Sequence, residues 1–182
     1  MAAAGESPVL ILTGAPGVGK TTTARILARR WDRAVHVRSD VFFEFIRSGY
    51  VEPWRSESHA QNAIMMRIVA DATAAYAAGG YRTIVEGIVI PGWFFEPMRD
   101  RLHAAGHRVA YGVLRAPLAV CAARAEDRAM HPLADSKVVA RLWQEFADLG
   151  ALERHAIDIG TSGPEVMANV VSRRLEDESL MA

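Results

Sequence analysis

Four apolar residues, Val9-Leu10-Ile11-Leu12, run into Gly14-Ala15-Pro16-Gly17-Val18-Gly19-Lys20-Thr21, and Ala24, Leu27, Ala28 and Trp31 then recur at helical spacing. This order constrains the fold more than any other feature. A short, wholly apolar run bounded by Gly and Pro is a strand buried on both faces, as in a parallel sheet. The loop satisfies G-x-x-x-x-G-K-[ST]. Its glycines let backbone N–H groups converge on phosphate oxygens, and the following helix aims its N-terminal dipole at the same anion. Lys20 then neutralises β/γ-phosphate charge, and the Thr21 hydroxyl is a ligand for Mg²⁺. Thr22 and Thr23 open the same helix; either one contacts the α-phosphate or both cap and pack. Lysine is scarce: Lys20 and Lys137 are the only two among 21 basic residues.

The alternation of strand and helix continues along the chain. Strands are expected at Val35–Val37, Thr83–Val85, Arg108–Leu114 and Ile157–Ile159. Helices are expected at Thr21–Trp31, Val41–Arg47, Glu57–Ala78, from Pro91 to Gly106, at Pro117–Arg128, from Asp135-Ser136 to about Leu149, and from Ser162-Gly163-Pro164 onward. Gly79-Gly80 closes the long third helix, and Pro164 suits a first helical turn. The first few residues and Asp177–Ala182 read as loose. The pattern gives an α/β layer fold with a parallel sheet, as one domain over residues 1–182. A chain of 182 residues with 51% hydrophobic content supports a single substantial core.

Composition excludes several classes. The formal net charge is zero, so no bulk electrostatic case exists for nucleic acid or an anionic membrane. The single cysteine, Cys121, forms neither an internal disulfide nor a Cys-rich zinc site, and it sits in an apolar run as a buried residue. The N-terminus lacks the pattern of a signal peptide, and no segment approaches the roughly 20 apolar residues of a membrane span. The expectation is a cytoplasmic protein, monomeric or homodimeric.

Ligands of open α/β sheets bind at the carboxyl ends of the strands, and two acids lie there. Asp40 follows the second strand, as a base for an acceptor hydroxyl or as the N-cap of the helix at Val41–Arg47. Glu86 ends the third strand. It holds a Mg²⁺-bound water, contacts the acceptor, or pairs with an arginine. Arg124 and Arg128, four apart on one helical face, precede Ala129-Met130-His131-Pro132-Leu133, a lid over about residues 125–137. Arginines there either stabilise a transferring phosphoryl group or pair with Glu126 and Asp127 in solvent. Arg115 is a weaker candidate. Among the aromatic residues Phe42, Phe43, Phe45, Trp54, Trp93, Phe94 and Phe95, Trp54 and Trp93 lie in loops and are the first choices for an acceptor pocket. Arg38, Arg47, Arg55 and Arg67 would instead line a basic acceptor groove. His59 and His131 lack metal-ligand spacing.

The loop Gly14–Thr21, Ser39-Asp40 after the second strand, and Arg124-x-x-x-Arg128 before a lid together resemble the small P-loop kinases of the adenylate-kinase type. Within them the chain looks most like the group holding chloramphenicol phosphotransferase, tunicamycin-resistance proteins, zeta-toxin-like kinases and the kinase domain of polynucleotide kinase. The resemblance spans about residues 8–176. It implies a three-layer fold with a five-stranded parallel sheet in the order 2-3-1-4-5, helices on both faces and a small lid. It implies ATP and Mg²⁺, Asp40 as general base, Arg124 and Arg128 as lid arginines, and the loop near Gly160–Ser162 against adenine. Polynucleotide-kinase-like members often carry D-x-x-R, whereas Phe43 stands three after Asp40, which favours a more apolar acceptor over nucleic acid. The expected substrate region comprises Asp40, Phe43, Arg47, Trp54, Glu86 and Trp93. The expected activity is transfer of the γ-phosphate of ATP to a hydroxyl of a small molecule, an antibiotic or another secondary metabolite among them. A nucleotide-sugar, nucleoside or polynucleotide-end kinase, and an ATP-binding resistance or switch protein without turnover, are the alternatives.

Overall fold

The computed structural model describes residues 7–126 and 135–182. Five parallel strands form one sheet in the order β2-β3-β1-β4-β5, as the resemblance implies. They are β1 (Val9–Gly14), β2 (Ala34–Arg38), β3 (Arg82–Glu86), β4 (Val109–Arg115) and β5 (Ala156–Asp158). All six residues of β1 are buried. Its side chains alternate between the two faces, so complete burial requires helices on both.

Those helices are α1 (Lys20–Arg29), α2 (Ser39–Phe43), α3 (His59–Ala78), α4 (Phe95–Ala104), α5 (Leu118–Glu126), α6 (Ser136–Gln144) and α7 (Pro164–Glu176). Helix α1 packs with α7, α3 with α4, and α5 with α6. The core is continuous through the central strands. Leu10, Ile11, Leu12, Ile84, Tyr111 and Leu114 contribute to it.

Several expected boundaries move, each for a local reason. The helix expected at Val41–Arg47 is the single turn of α2, with Arg38 at its N-cap and Asp40 inside its first turn. The chain leaves it through tight turns, and Phe45 just beyond it is 72% exposed. Helix α3 starts at His59 because Ser56–Ser58 forms a 3₁₀ turn first. Helix α4 starts at Phe95, since the Trp93, Phe94 and Phe95 N–H groups all converge on the Ile90 carbonyl. Asp135 caps α6 as expected, accepting the Lys137 backbone N–H at 2.8 Å, but the helix ends at Gln144.

The segment Asp177–Ala182, expected to be loose, is anchored at its far side: Asp177, Glu178 and Ser179 are exposed, but Leu180, Met181 and Ala182 pack onto the sheet. Leu180 is fully buried. Its carbonyl accepts the Tyr111 N–H at 2.8 Å, the Ala182 N–H donates to the Val109 carbonyl at 3.0 Å, and Met181 bridges Ala110 in antiparallel fashion. Strand β5 pairs only with Val113–Arg115. The last residues therefore occupy the edge that β5 leaves open along the first half of β4.

Candidate active site

The turn out of β1 sets the geometry. Gly14, Gly17 and Gly19 have φ of 137°, 76° and 107°, backbone conformations that glycine adopts without steric cost. A Cβ on Gly17 would lie 2.1 Å from the Cys121 carbonyl oxygen, so the backbone of α5 rests directly on the loop. Cys121 is fully buried there, as expected. Its thiol is pushed up by burial, against the pull of Lys20 and Arg124. The Lys20 ammonium donates to the carbonyls of Gly14 at 2.8 Å and Ala15 at 3.0 Å, curling over the loop it follows.

Glu86 sits beside this loop. The Thr21 hydroxyl donates to its Oε1 at 2.8 Å. His36 Nε2 and Arg38 Nε stand 3.7 and 3.8 Å from the same oxygen, in range for charge but too far for hydrogen bonds. Glu86 is 3% exposed. Burial pushes its carboxyl up, but His36, Lys20 and Thr21 together outweigh that and hold it below the usual carboxylate range.

Arg38 ties this acid to the second one. Its Nη2 donates to Asp40 Oδ2 at 2.7 Å. The other Asp40 oxygen accepts the Val41 N–H at 3.0 Å. Two contacts thus orient a half-exposed carboxylate. Gly87 permits the approach: a Cβ there would stand 1.9 Å from Ser39 Oγ and 3.0 Å from Ser39 Cβ. The segment after β3 is braced in turn by Thr13 Oγ1, which accepts the Val89 N–H at 2.9 Å, and by the Tyr111 hydroxyl, which donates to the Val89 carbonyl at 2.8 Å.

These groups open onto one cavity of about 530 Å³. Pro16, Gly17, Gly19, Lys20 and Thr21 line one part of it, and Asp40, Phe43, Trp54, Glu86 and Trp93 another. Arg47 is exposed beyond α2 and does not line it. None of Arg38, Arg47, Arg55 and Arg67 does, so the basic groove is not assembled. Arg38 and Arg55 are instead paired with Asp40 and Glu52.

Arg124 is half-buried on α5, one turn beyond the Cys121 contact, and lies outside the cavity lining. Arg128, His131 and most of the expected lid fall outside the described residues. Thr22 is half-buried on α1 and Thr23 fully buried, its hydroxyl 3.9 Å from the Met167 sulfur. His59 is exposed at the start of α3.

Arg115 is held by Glu153, Asp158 and the Ala147 carbonyl. It borders a second cavity of about 400 Å³, which Ala15, Pro117, Trp143, Phe146 and Gly160 also line.

Asn62, Tyr50, Met66, Arg141 and Glu145 also line the main cavity and were not singled out from the sequence. Arg141 and Glu145 stand four apart, one turn of α6 and the residue just past it, a spacing that was legible. Nothing local marks Asn62. Among the described residues no cluster of three His, Cys, Asp or Glu could hold a metal, and no helix is long and apolar enough to cross a membrane.

The architecture is shared with solved structures, kinases among them. The tunicamycin resistance protein of Deinococcus radiodurans superposes with a TM-score of 0.71 at 20% identity, over 93% of this chain and 95% of that one. A gluconokinase from Sinorhizobium meliloti 1021 gives 0.68 at 14% identity, over 96% and 94%. The Mycobacterium tuberculosis APS kinase, solved with AMPPNP and APS, gives 0.73 at 16% identity, over 94% and 98%. At such identities the likeness establishes the fold. No curated protein sequence matches. The profile of the AAA domain family matches residues 9–150, and this chain belongs to that family, with the fold of a small P-loop kinase.

Proposed function

We propose that this chain transfers the γ-phosphate of ATP to a hydroxyl group of a small molecule. One observation carries the reading: a single cavity is lined both by the loop residues Lys20 and Thr21 and by the oriented carboxylate of Asp40. Phosphoryl transfer to an alcohol requires positioning, charge neutralisation and a proton acceptor, and the cavity offers all three. Its volume suits a small organic molecule.

The residues present fit a Mg²⁺–triphosphate. Gly14, Gly17 and Gly19 hold positive-φ conformations just ahead of the N-terminus of α1, the backbone setting in which N–H groups gather on an anion. Thr21 Oγ1 and Glu86 are hard oxygen donors, and Mg²⁺ takes one or two protein oxygens alongside phosphate and water. Thr21 would hold the ion directly and Glu86 through water. When bound, the metal and triphosphate supply a polarised γ-phosphoryl group. The second cavity, bounded by Ala15, Pro117, Trp143 and Gly160, suits the base of the nucleotide. Lys20 neutralises phosphate charge, Asp40 takes the proton of the acceptor hydroxyl, and Arg38 holds Asp40 in place. Arg124, on α5, stabilises the phosphoryl group, and Arg128 adds to that charge.

Mass spectrometry of a panel of antibiotics, nucleosides and sugars incubated with the protein and ATP·Mg²⁺ tests this. At least one acceptor should gain a phosphate. Asp40→Asn should slow that transfer by about 10²–10⁴-fold with nucleotide affinity unchanged. No modified acceptor, or an Asp40→Asn protein as fast as the original, would sink the proposal.

A further inference from the structure

Asn62 is 3% exposed and borders the main cavity from the first turn of α3. Its amide orientation is fixed by its neighbours. Nδ2 donates to the Pro53 carbonyl at 2.7 Å and to Ser58 Oγ at 2.9 Å. A carbonyl can only accept. The Ser58 hydroxyl is engaged as a donor toward the carbonyls of Pro53 and Arg55, at 2.9 and 2.7 Å. Reversing the amide would set two oxygens against each other.

Oδ1 therefore points away from the Pro53–Ser58 turn, and it is buried with no hydrogen-bond partner. Leaving a buried acceptor unmet is costly, because the atom has given up its hydrogen bond to water. Native structures keep such atoms rarely, and a functional role or a bound water or ion accounts for those that remain.

The surroundings narrow what that ligand is. Met66, one turn further along α3, and Ile88, Ile90 and Phe94 make this side of the cavity apolar. Among the described residues lining the cavity, the acids Asp40, Glu44, Glu86 and Glu145 face only two bases, Lys20 and Arg141. Lys20 belongs to the phosphate loop. Arg141 donates to the Trp54 carbonyl at 3.3 Å. Among the described residues the acceptor side thus carries one base, Arg141, against Asp40, Glu44 and Glu145, so its lining is net acidic.

Building on the phosphotransferase reading, we propose that the acceptor is an uncharged or cationic molecule with an apolar body, and that a second polar group on it, an N–H or O–H distinct from the reacting hydroxyl, donates to Asn62 Oδ1. Met66, unbranched and adaptable, moves aside as that donor enters. Asn62 is thus a specificity residue, not a catalytic one.

The test is a set of matched fragments: uncharged aromatic alcohols bearing an amide N–H, their N-methylated counterparts, and counterparts carrying a carboxylate. Ligand-observed NMR measures affinity for the full chain, and the Met66 methyl resonance reports the site. N–H members should bind about 10–100-fold more tightly than N-methyl partners and at least about tenfold more tightly than carboxylates. In Asn62→Leu the N–H preference should collapse to about twofold or less. The wild-type comparison needs no variant, so it decides the matter even if Asn62→Leu loosens the Pro53–Ser58 turn. Equal affinity across each N–H and N-methyl pair, preference for the carboxylates, or no binding by any pair overturns the assignment. Phosphate transfer to the bound fragments is followed separately. Binding with the expected preference but no transfer would leave Asn62 as an anchor and remove the kinase reading.

Discussion

Adding one methyl group at Gly87 tests how closely the two acid-bearing segments are fitted. Gly87 has an ordinary φ, so alanine meets no backbone strain and the cost is steric alone. Its Cβ would lie 1.9 Å from Ser39 Oγ, where ordinary contact begins near 3.4 Å. Ser39 can swing its hydroxyl to another rotamer, but its own Cβ remains 3.0 Å away, and the residue is 3% exposed with little space to retreat. Overpacking of this kind costs about 1–3 kcal/mol. A midpoint of about 2 kcal/mol lowers the melting temperature of a chain this size by ~4–8 °C. In a Ser39→Gly background both the hydroxyl and the Cβ contact are gone, and Gly87→Ala should cost under about 1 kcal/mol. Urea denaturation of the four proteins should therefore give a coupling of about 1–2 kcal/mol. Additivity within about 0.3 kcal/mol would refute the reasoning. Because Asp40 follows Ser39 directly, the strain also displaces the proposed base. Transfer should fall about 10–100-fold in Gly87→Ala and recover in the double variant, with nucleotide affinity constant in both.

Two further outcomes are expected. Glu86 is held below its ordinary value of 4.5, because His36, Lys20 and Thr21 outweigh the upward push of burial; its contribution to stability is present above about that pH and is lost as pH falls through the lower folded value. Glu86→Gln should accordingly flatten the acid limb of a stability-against-pH profile measured by urea denaturation, and an unchanged limb would show that other groups set it. Leu180→Ala, at a fully buried position, should cost about 2–5 kcal/mol; a loss below about 0.5 kcal/mol in the same assay would mean that the final segment is not held as the structure places it.

The parts of the fold that were legible in advance are those encoded in short stretches. A wholly apolar strand, a glycine-rich turn and an amphipathic helix are adjacent in sequence, so Val9–Arg29 could be read directly. Strand alternation gave the sheet, and family resemblance gave its order. Asp40 and Glu86 were found because strand ends in such sheets point to one place. Positions decided by distant partners were missed. Asn62 looks like any polar residue in a helix until the Pro53–Ser58 turn folds onto it. Asp40 was weighed as a helix cap because Ser39-Asp40 suits one; the helix begins two residues earlier, and Arg38 takes the carboxylate. The segment Asp177–Ala182 is polar enough to look loose. Its one decisive side chain, Leu180, acts only because β5 is three residues long.

That shortness has a consequence for handling the protein. The free margin of a β-sheet is a template onto which a second chain can add by backbone hydrogen bonding. In this molecule the first half of β4 would be such a margin, and Leu180, Met181 and Ala182 occupy it. The carboxyl ends of the strands therefore face the cavity, while this stretch of side edge is sealed by the chain's own residues. Loosening the seal should show first as slow association of folded molecules on storage, before any loss of nucleotide binding.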